Sequence, residues 1–320
     1  MIRILKNNKG IIEEASFESI KSLDVDWIDC QAPTDRELDL IAKKTNLPRG
    51  RLLHYLDEDA RPHVLETKTF SLILFAAPIL QVHQLRKTTI ALFLFGSNNI
   101  LTLHPKPVVA LTRIEHVLKQ GNAAFLEDTS HFVYNVLDEI ITDYFAFLEQ
   151  QAEYIDALER NVFLKPDRSQ VNKIFESKKN LIYIHRALVA NREVIIGIEK
   201  GYLSRMKKTA LAHFGFLYND LLQLIDIGET YRDVLTGVLE IYLSSISNNL
   251  NHIVKRLTGW GSLILIPTLI ASIYGMNFHE TTSPYNMPEL NWEYGYFFAL
   301  GFMVVSVVLL YFYFKRKDWI

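Results

Sequence analysis

This chain of 320 residues has one cysteine, Cys30. No internal disulfide is possible, and a reducing compartment suits it. No C-x-x-C partner follows Cys30, so a small buried residue is expected there. An excess of charge is also missing: 34 Lys and Arg stand against 36 Asp and Glu, a net charge of −2. Nothing global therefore points to nucleic acid. No glycine-rich phosphate loop occurs, His279-Glu280 lacks the second histidine of a zinc-protease helix, and His213, Asp220 and Asp226 have no catalytic context. An enzyme reading has no supporting constellation. Proline is absent between Pro166 and Pro267, which makes long helices the economical reading of that stretch.

Charge of either sign is absent from 257–278, a run long enough to cross a bilayer as a helix. A second apolar run covers 296–314. Mean hydropathy is only +0.08, because nearly all the continuous apolar sequence lies in these last residues. Lys255 and Arg256 precede the first run and Lys315, Arg316 and Lys317 follow the second, while the connection 279–295 has no Lys or Arg. The positive-inside rule puts both termini in the cytoplasm and the connection outside. The N-terminus, Met1-Ile2-Arg3-Ile4-Leu5-Lys6, is too short and too charged for a signal peptide, so residues 1–250 are expected to stay where they are made.

Along the first run and the two turns before it, Asn251, Val254, Leu257, Gly261, Leu265, Thr268, Ser272 and Gly275 recur every three or four residues, one helical stripe. A lipid-facing stripe is uniformly apolar, and a helix-packing stripe is small throughout. A pore lining mixes polar rings that hold water with apolar rings that expel it. On spacing alone, pore and packing readings both stand. Pro267 removes a backbone hydrogen bond; a tolerated membrane proline and a gating hinge are equally open there.

Upstream, residues 1–125 read as mixed α/β. Thr34-Asp35-Arg36-Glu37 is a capping-box pattern opening a helix to Lys44, and Pro48 can start a second. Residues 70–79, 89–95 and 99–103 have strand composition, with a turn at Gly96-Ser97-Asn98-Asn99, and a helix follows over 108–119. Then an acidic helical hairpin is expected over 126–200, running 130–164 and back to 199 around Lys165-Pro166-Asp167. A break near Gly201 precedes a stalk helix, 201–256, that starts near Lys208 and continues into the first span. Through Tyr274 it would measure ~100 Å at ~1.5 Å per residue. The acidic hairpin earns its name from nine acids and no Lys or Arg over 127–159, with Glu149, Glu153, Asp156 and Glu159 on one face. The five basic residues flanking the spans would form a positive collar around a pore exit, which such acids could offset. Topology signals and solvating acids explain the same residues.

The residues Tyr274-Gly275-Met276-Asn277 close the first span, Met287-Pro288-Glu289-Leu290 lies in the connection, and Lys315-Arg316-Lys317-Asp318-Trp319 ends the chain. Together they resemble the CorA family of divalent-cation channels. The resemblance is specific over 240–320 and weaker upstream. It implies an α/β cytoplasmic domain plus long helices, two C-terminal transmembrane helices and a homo-oligomeric, pentameric funnel in the cell membrane. The implied activity is passive influx of hydrated Mg²⁺, with Co²⁺ and Ni²⁺ as secondary ions and no organic cofactor. The implied partners are copies of itself and the membrane, not nucleic acid. Tyr274, Gly275, Met276 and Asn277 become the selectivity filter, and the family's pore rings fall on Asn251, Leu257, Leu265 and Thr268. Leu265 stands where the family often has Met; both are apolar.

The filter has a physical logic. Mg²⁺ dehydrates reluctantly. Neutral carbonyls and amides from Asn277 and Gly275 can hydrogen-bond a hydrated ion without stripping or trapping it. Charge comes instead from Glu280, Glu289 and Glu293, which either raise local cation concentration or are ordinary solvated acids. By resemblance, cytoplasmic divalent ions bind between subunits and favour closure, with Asp57, Glu58, Asp59 and Asp220 as the acids here. Phe216 and Asn219 occupy positions where the family is acidic, which weakens that expectation. A zinc transporter of the same fold and a non-conducting membrane anchor are the rivals.

Overall fold

The computed structural model describes residues 2–8, 11–14, 26–81, 84–96, 99–120, 126, 128–164, 167–277 and 287–320. The chain divides into two compact units, Met1–Leu239 and Glu240–Ile320.

The first unit is built on seven strands: β1 (Ile2–Asn8), β2 (Ile11–Glu14), β3 (Trp27–Gln31), β4 (His63–Glu66), β5 (Phe70–Gln81), β6 (Gln84–Phe95) and β7 (Asn99–His104). They form one sheet in the order β2-β1-β3-β7-β6-β5-β4. Only β3 and β7 pair in parallel. The other pairings are antiparallel. Between β3 and β4 the chain makes α1 (Asp35–Thr45) and α2 (Arg49–Tyr55). The Thr34 cap forms as its sequence predicts: Thr34 N–H donates to Glu37 Oε2 at 2.7 Å and Glu37 N–H returns to Thr34 Oγ1 at 3.4 Å. That backbone bond holds the Glu37 carboxyl below its ordinary range. α1 closes on Asn46, left-handed at φ 56°.

Strand side chains alternate between faces. Leu72, Leu74 and Phe93 join Leu38, Ile41, Leu52 and Tyr55 of α1 and α2 in one core. Tyr55 meets Phe93 edge-on at 5.7 Å. Cys30 lies in this same core, fully buried, and burial pushes its thiol up, so the bland expectation for it holds. The opposite face, with Ile73 and Phe75, meets α4 (Thr129–Leu164) and α5 (Arg168–Glu199). α3 (Val109–Lys119) packs on α4. Trp27 packs at 5.1 Å against Phe132 of α4 with the rings tilted by 59°, and its Nε1–H donates to Thr102 Oγ1 at 3.0 Å.

β4 is short and pairs with β5 only as far as Leu74, so Ala76 lies beyond its cover. Asn191 of α5 completes that edge. Its Oδ1 accepts the Ala76 N–H at 2.9 Å and its Nδ2 donates to the Ala76 carbonyl at 2.9 Å. The Tyr144 hydroxyl of α4 donates to the same carbonyl at 3.2 Å.

The expected strands correspond to β5, β6 and β7, and the helices of 34–55 and 108–119 form. β1 to β4 escape the sequence reading. β3 is buried at Trp27, Ile28, Asp29 and Cys30 alike, so it shows no alternation, and its Asp29 is polar yet inside. Of the two expected turns, Ser97-Asn98 and Lys165-Pro166 lie outside the described residues. Asp167 closes a capping box with Gln170 at the start of α5. The long final helix begins later than Lys208. One turn, α6 (Lys208–Leu211), comes first, and α7 spans Phe214–Tyr274. Phe214 is fully buried edge-on against Tyr134 at 5.6 Å, which fixes where α7 starts.

In the second unit α7 continues unbroken through Pro267 to Tyr274. A 3-10 turn, Pro288–Asn291, leads into α8 (Gly295–Arg316). Leu263 and Ile270 of α7 and Ala299 and Phe314 of α8 are buried. Trp319 stacks on Phe314 at 5.3 Å, and Ile320 reaches Gly259, where a Cβ would meet it at 2.8 Å.

Candidate functional site

Both helices of the hairpin are long and apolar enough to cross a membrane, yet only 6% and 11% of their apolar windows are buried. A core helix of a water-soluble protein would be mostly covered. Surface this apolar requires lipid, further copies of the chain, or both.

At about 100° per residue, Gly259, Leu263, Ile266, Ile270 and Tyr274 share one face of α7. They are buried or half-buried. The stripe noted in the sequence lies on roughly the opposite side. Asn251, Val254, Leu257, Gly261, Leu265, Thr268, Ser272 and Gly275 are all exposed, Leu257 at 73% and Leu265 at 67%. The hairpin thus uses the apolar face for itself and leaves the mixed face bare. Thr268 Oγ1 donates to the Ile264 carbonyl and Ser272 Oγ to the Thr268 carbonyl, each at 2.8 Å. Their hydroxyl protons are spent inside the helix, so each oxygen offers lone pairs outward. An acceptor suits the waters of a hydrated cation, whose O–H groups point away from the ion.

Past Tyr274 the chain makes one more turn. Gly275 N–H donates to the Ala271 carbonyl at 2.9 Å and Met276 N–H to the Ile273 carbonyl at 3.2 Å. Met276 and Asn277 are exposed. The Tyr274 hydroxyl donates to Glu289 Oε1 at 3.2 Å. The sequence does not signal that pair. A groove of about 540 Å³ lies beside it, lined by Tyr274, Gly275, Glu289, Trp292, Tyr296 and Met303. Of the three external acids, Glu289 is half-buried and engaged, Glu293 is exposed, and Glu280 lies outside the described residues.

At the other end of the hairpin Lys255, Arg256, Lys315, Arg316 and Lys317 are all exposed. The contact of Ile320 with Gly259 brings the two basic groups to one end of the hairpin.

The acids assigned to metal sensing do not converge within one chain. Glu58 pairs with Lys106 at 2.7 Å and Asp59 with Lys87 at 3.4 Å. Asp57 Oδ1 accepts the Asp59 N–H at 3.0 Å. Asp220 instead faces α4. Burial pushes its carboxyl up; burial, then Asp220, then Glu139 push Asp138 up. Asp138 is the acid the sequence reading passed over, although it sits inside the acidic run already noted. No group of three or more His, Cys, Asp or Glu poised for a metal occurs among the described residues. Phe216 and Asn219 are exposed, as are Glu149, Glu153, Asp156 and Glu159.

Residues 22–316 match the family model described as CorA-like Mg²⁺ transporter protein. The cobalt/magnesium transport protein CorA of Methanocaldococcus jannaschii is 33% identical over 312 residues, 97% of this chain and 95% of that one. Its namesake from Thermotoga maritima is 35% identical over 190 residues, 59% of this chain and 52% of that one. The complete structure of the CorA magnesium transporter from Methanocaldococcus jannaschii superposes with a TM-score of 0.88 at 30% identity, covering 100% of this chain and 99% of that one.

Proposed function

The chain belongs to the CorA-like Mg²⁺ transporter family, and from that premise we propose that it forms a homo-oligomeric channel for passive influx of hydrated Mg²⁺. One observation carries the reading. The face of α7 that α8 leaves bare is the face carrying Asn251, Leu257, Gly261, Leu265, Thr268 and Ser272, and it ends at Tyr274-Gly275-Met276-Asn277. One such face encloses nothing, so several copies must bring their α7 helices together, five by resemblance. Both termini lie in the cytoplasm and 279–295 lies outside the cell membrane.

In that assembly Asn277 carbonyls and the Gly275 backbone accept from the water shell of the ion. The pair of cost and selectivity follows from Mg²⁺ itself: it holds its waters tightly, so a neutral ring that leaves them in place passes it quickly. Thr268 and Ser272 continue the acceptor surface. Leu257 and Leu265 form apolar rings that exclude water when the pore is closed. The collar of Lys255, Arg256 and Lys315 to Lys317 sets topology and limits exit. Cytoplasmic divalent ions, bound between subunits at acids such as Asp57 to Asp59 and Asp220, favour closure. Co²⁺ and Ni²⁺, similarly hydrated, follow as secondary substrates.

The test is uptake by purified protein in liposomes, with Mg²⁺, Co²⁺, Ni²⁺ and Zn²⁺ run in parallel. Mg²⁺ influx driven by its gradient alone is expected, and Asn277→Ala should abolish it while leaving the oligomer intact. Zn²⁺ uptake without Mg²⁺ uptake would favour the zinc-transporting rival. Wild-type flux through a well-assembled Asn277→Ala protein would remove the filter assignment.

A further inference from the structure

Glu289 reads in the sequence as one of three external acids that draw cations toward the mouth. Its surroundings say something more specific. The 3-10 turn that carries it is docked tightly onto the start of α8. A Cβ on Gly295 would sit 2.1 Å from the Glu289 carbonyl oxygen, so only glycine admits that approach. The same carbonyl accepts the Trp292 N–H at 3.2 Å, and Gly295 N–H donates to the Trp292 carbonyl at 2.9 Å. From this fixed base the half-buried carboxylate reaches across to Tyr274, fifteen residues earlier, and accepts a hydrogen bond from its hydroxyl at 3.2 Å. Tyr274 is the last residue of α7, directly before Gly275-Met276-Asn277.

A helix end frays, because its last carbonyls lack partners inside the helix. A filter built on the residues that follow needs its hydrogen-bonding groups held to about half an ångström. We propose that Glu289 is a positioning residue: its carboxylate anchors the Tyr274 hydroxyl and thereby fixes the direction in which the chain enters the filter turn. This deepens the channel reading and rests on it. Glu293, exposed in the same stretch, remains the acid suited to long-range attraction.

Bond and charge separate cleanly in two conservative substitutions. Glu289→Gln removes the charge and keeps an oxygen at the same reach. Glu289→Asp keeps the charge and withdraws the oxygens by one methylene. Positioning predicts that Glu289→Gln retains the Mg²⁺ flux that Glu289→Asp loses. Tyr274→Phe should fall by the same factor as Glu289→Asp, and combining the two should cost no more than either. The expected loss is about tenfold, the upper scale of one ordinary hydrogen bond. It should appear in maximal flux and be insensitive to salt. Attraction predicts the reverse order: Glu289→Gln impaired, Glu289→Asp and Tyr274→Phe normal. Its effect would be a raised half-saturating Mg²⁺ concentration that grows at low ionic strength. Each variant is measured in liposomes beside the wild type, with oligomer yield from the same preparation. The reverse order in a conducting wild-type background would overturn the inference and leave the channel reading standing. A wild type that carries no Mg²⁺ would overturn both.

Discussion

Asn191→Ala should destabilise the first unit by about 2–4 kcal/mol, and the figure follows from what Ala76 loses. The Ala76 carbonyl keeps the Tyr144 hydroxyl at 3.2 Å, but the Ala76 N–H keeps no acceptor. Leaving a buried donor unpaired costs about 1–3 kcal/mol, and the lost amide leaves a small cavity worth roughly another 1 kcal/mol. For a unit of this size each kcal/mol moves a thermal midpoint by about 2–4 °C. The midpoint of the full-length oligomer in detergent, followed by near-ultraviolet circular dichroism, should drop by about 5–15 °C. Tyr144→Phe removes only one of two donors to the Ala76 carbonyl and should cost about 1 kcal/mol. Asn191→Asp offers the right acceptor to the Ala76 N–H and a wrong one to the Ala76 carbonyl, so it should be at least as damaging as alanine at neutral pH and recover on acidification, when the second oxygen carries a proton. If Asn191→Ala shifts the midpoint no more than Tyr144→Phe, the idea that Asn191 completes the edge of β5 is wrong.

Leu257→Asn should leak: a polar ring at an apolar constriction holds water, so Mg²⁺ uptake should persist at internal Mg²⁺ levels that silence the wild type. Reduced flux with poor oligomer yield would mean instead that Leu257 packs against a neighbouring helix. Mass measurement in detergent should find a homo-oligomer, five copies by resemblance, and a conducting monomer would end the shared-pore reading. Asp220→Asn should raise the thermal midpoint at pH 7 in chelator-treated, divalent-free buffer. The Asp138 and Asp220 carboxyls are raised in the folded state, so folding favours their protonated forms; their penalty is present above the folded pKa values and vanishes as pH falls below the ordinary carboxylate range. The gain should therefore shrink toward pH 4; an equal gain at both pH values would point to packing rather than charge.

The membrane hairpin was the most legible part of the chain. A charge-free run needs no tertiary context to be recognised, and the positions of Leu257, Thr268 and Ser272 on one stripe follow from helical spacing alone. The helices Thr129–Leu164 and Arg168–Glu199 were nearly as plain, because a long stretch without proline leaves few alternatives. The strands were legible only where they alternate and are flanked by turn residues, as in β5 to β7. β3 has a buried aspartate, and its pairing partner β7 lies some seventy residues away, so neither pattern nor neighbourhood announces it.

The same distinction divides the candidate site. A stripe is a property of one helix and can be read from spacing. A hydrogen bond between Tyr274 and Glu289 depends on how the connection folds back, and that in turn depends on Gly295 letting the Glu289 carbonyl approach. Sequence composition offers Glu289 and Glu293 as equal acids. Their difference is one of reach: one sits on a turn clamped against α8 and points its carboxylate at the end of α7, the other stands exposed four residues later. Asp138 and Asp220 make the same point in the first unit, where Asp220 helps push up the carboxyl of Asp138, an acid more than eighty residues away, because the start of α7 packs near α4 there. Charge in this chain therefore acquires its role from what the fold sets beside it, and the substitutions that keep charge while moving it, such as Glu289→Asp, are the ones that separate a residue that attracts ions from one that holds the proposed filter in shape.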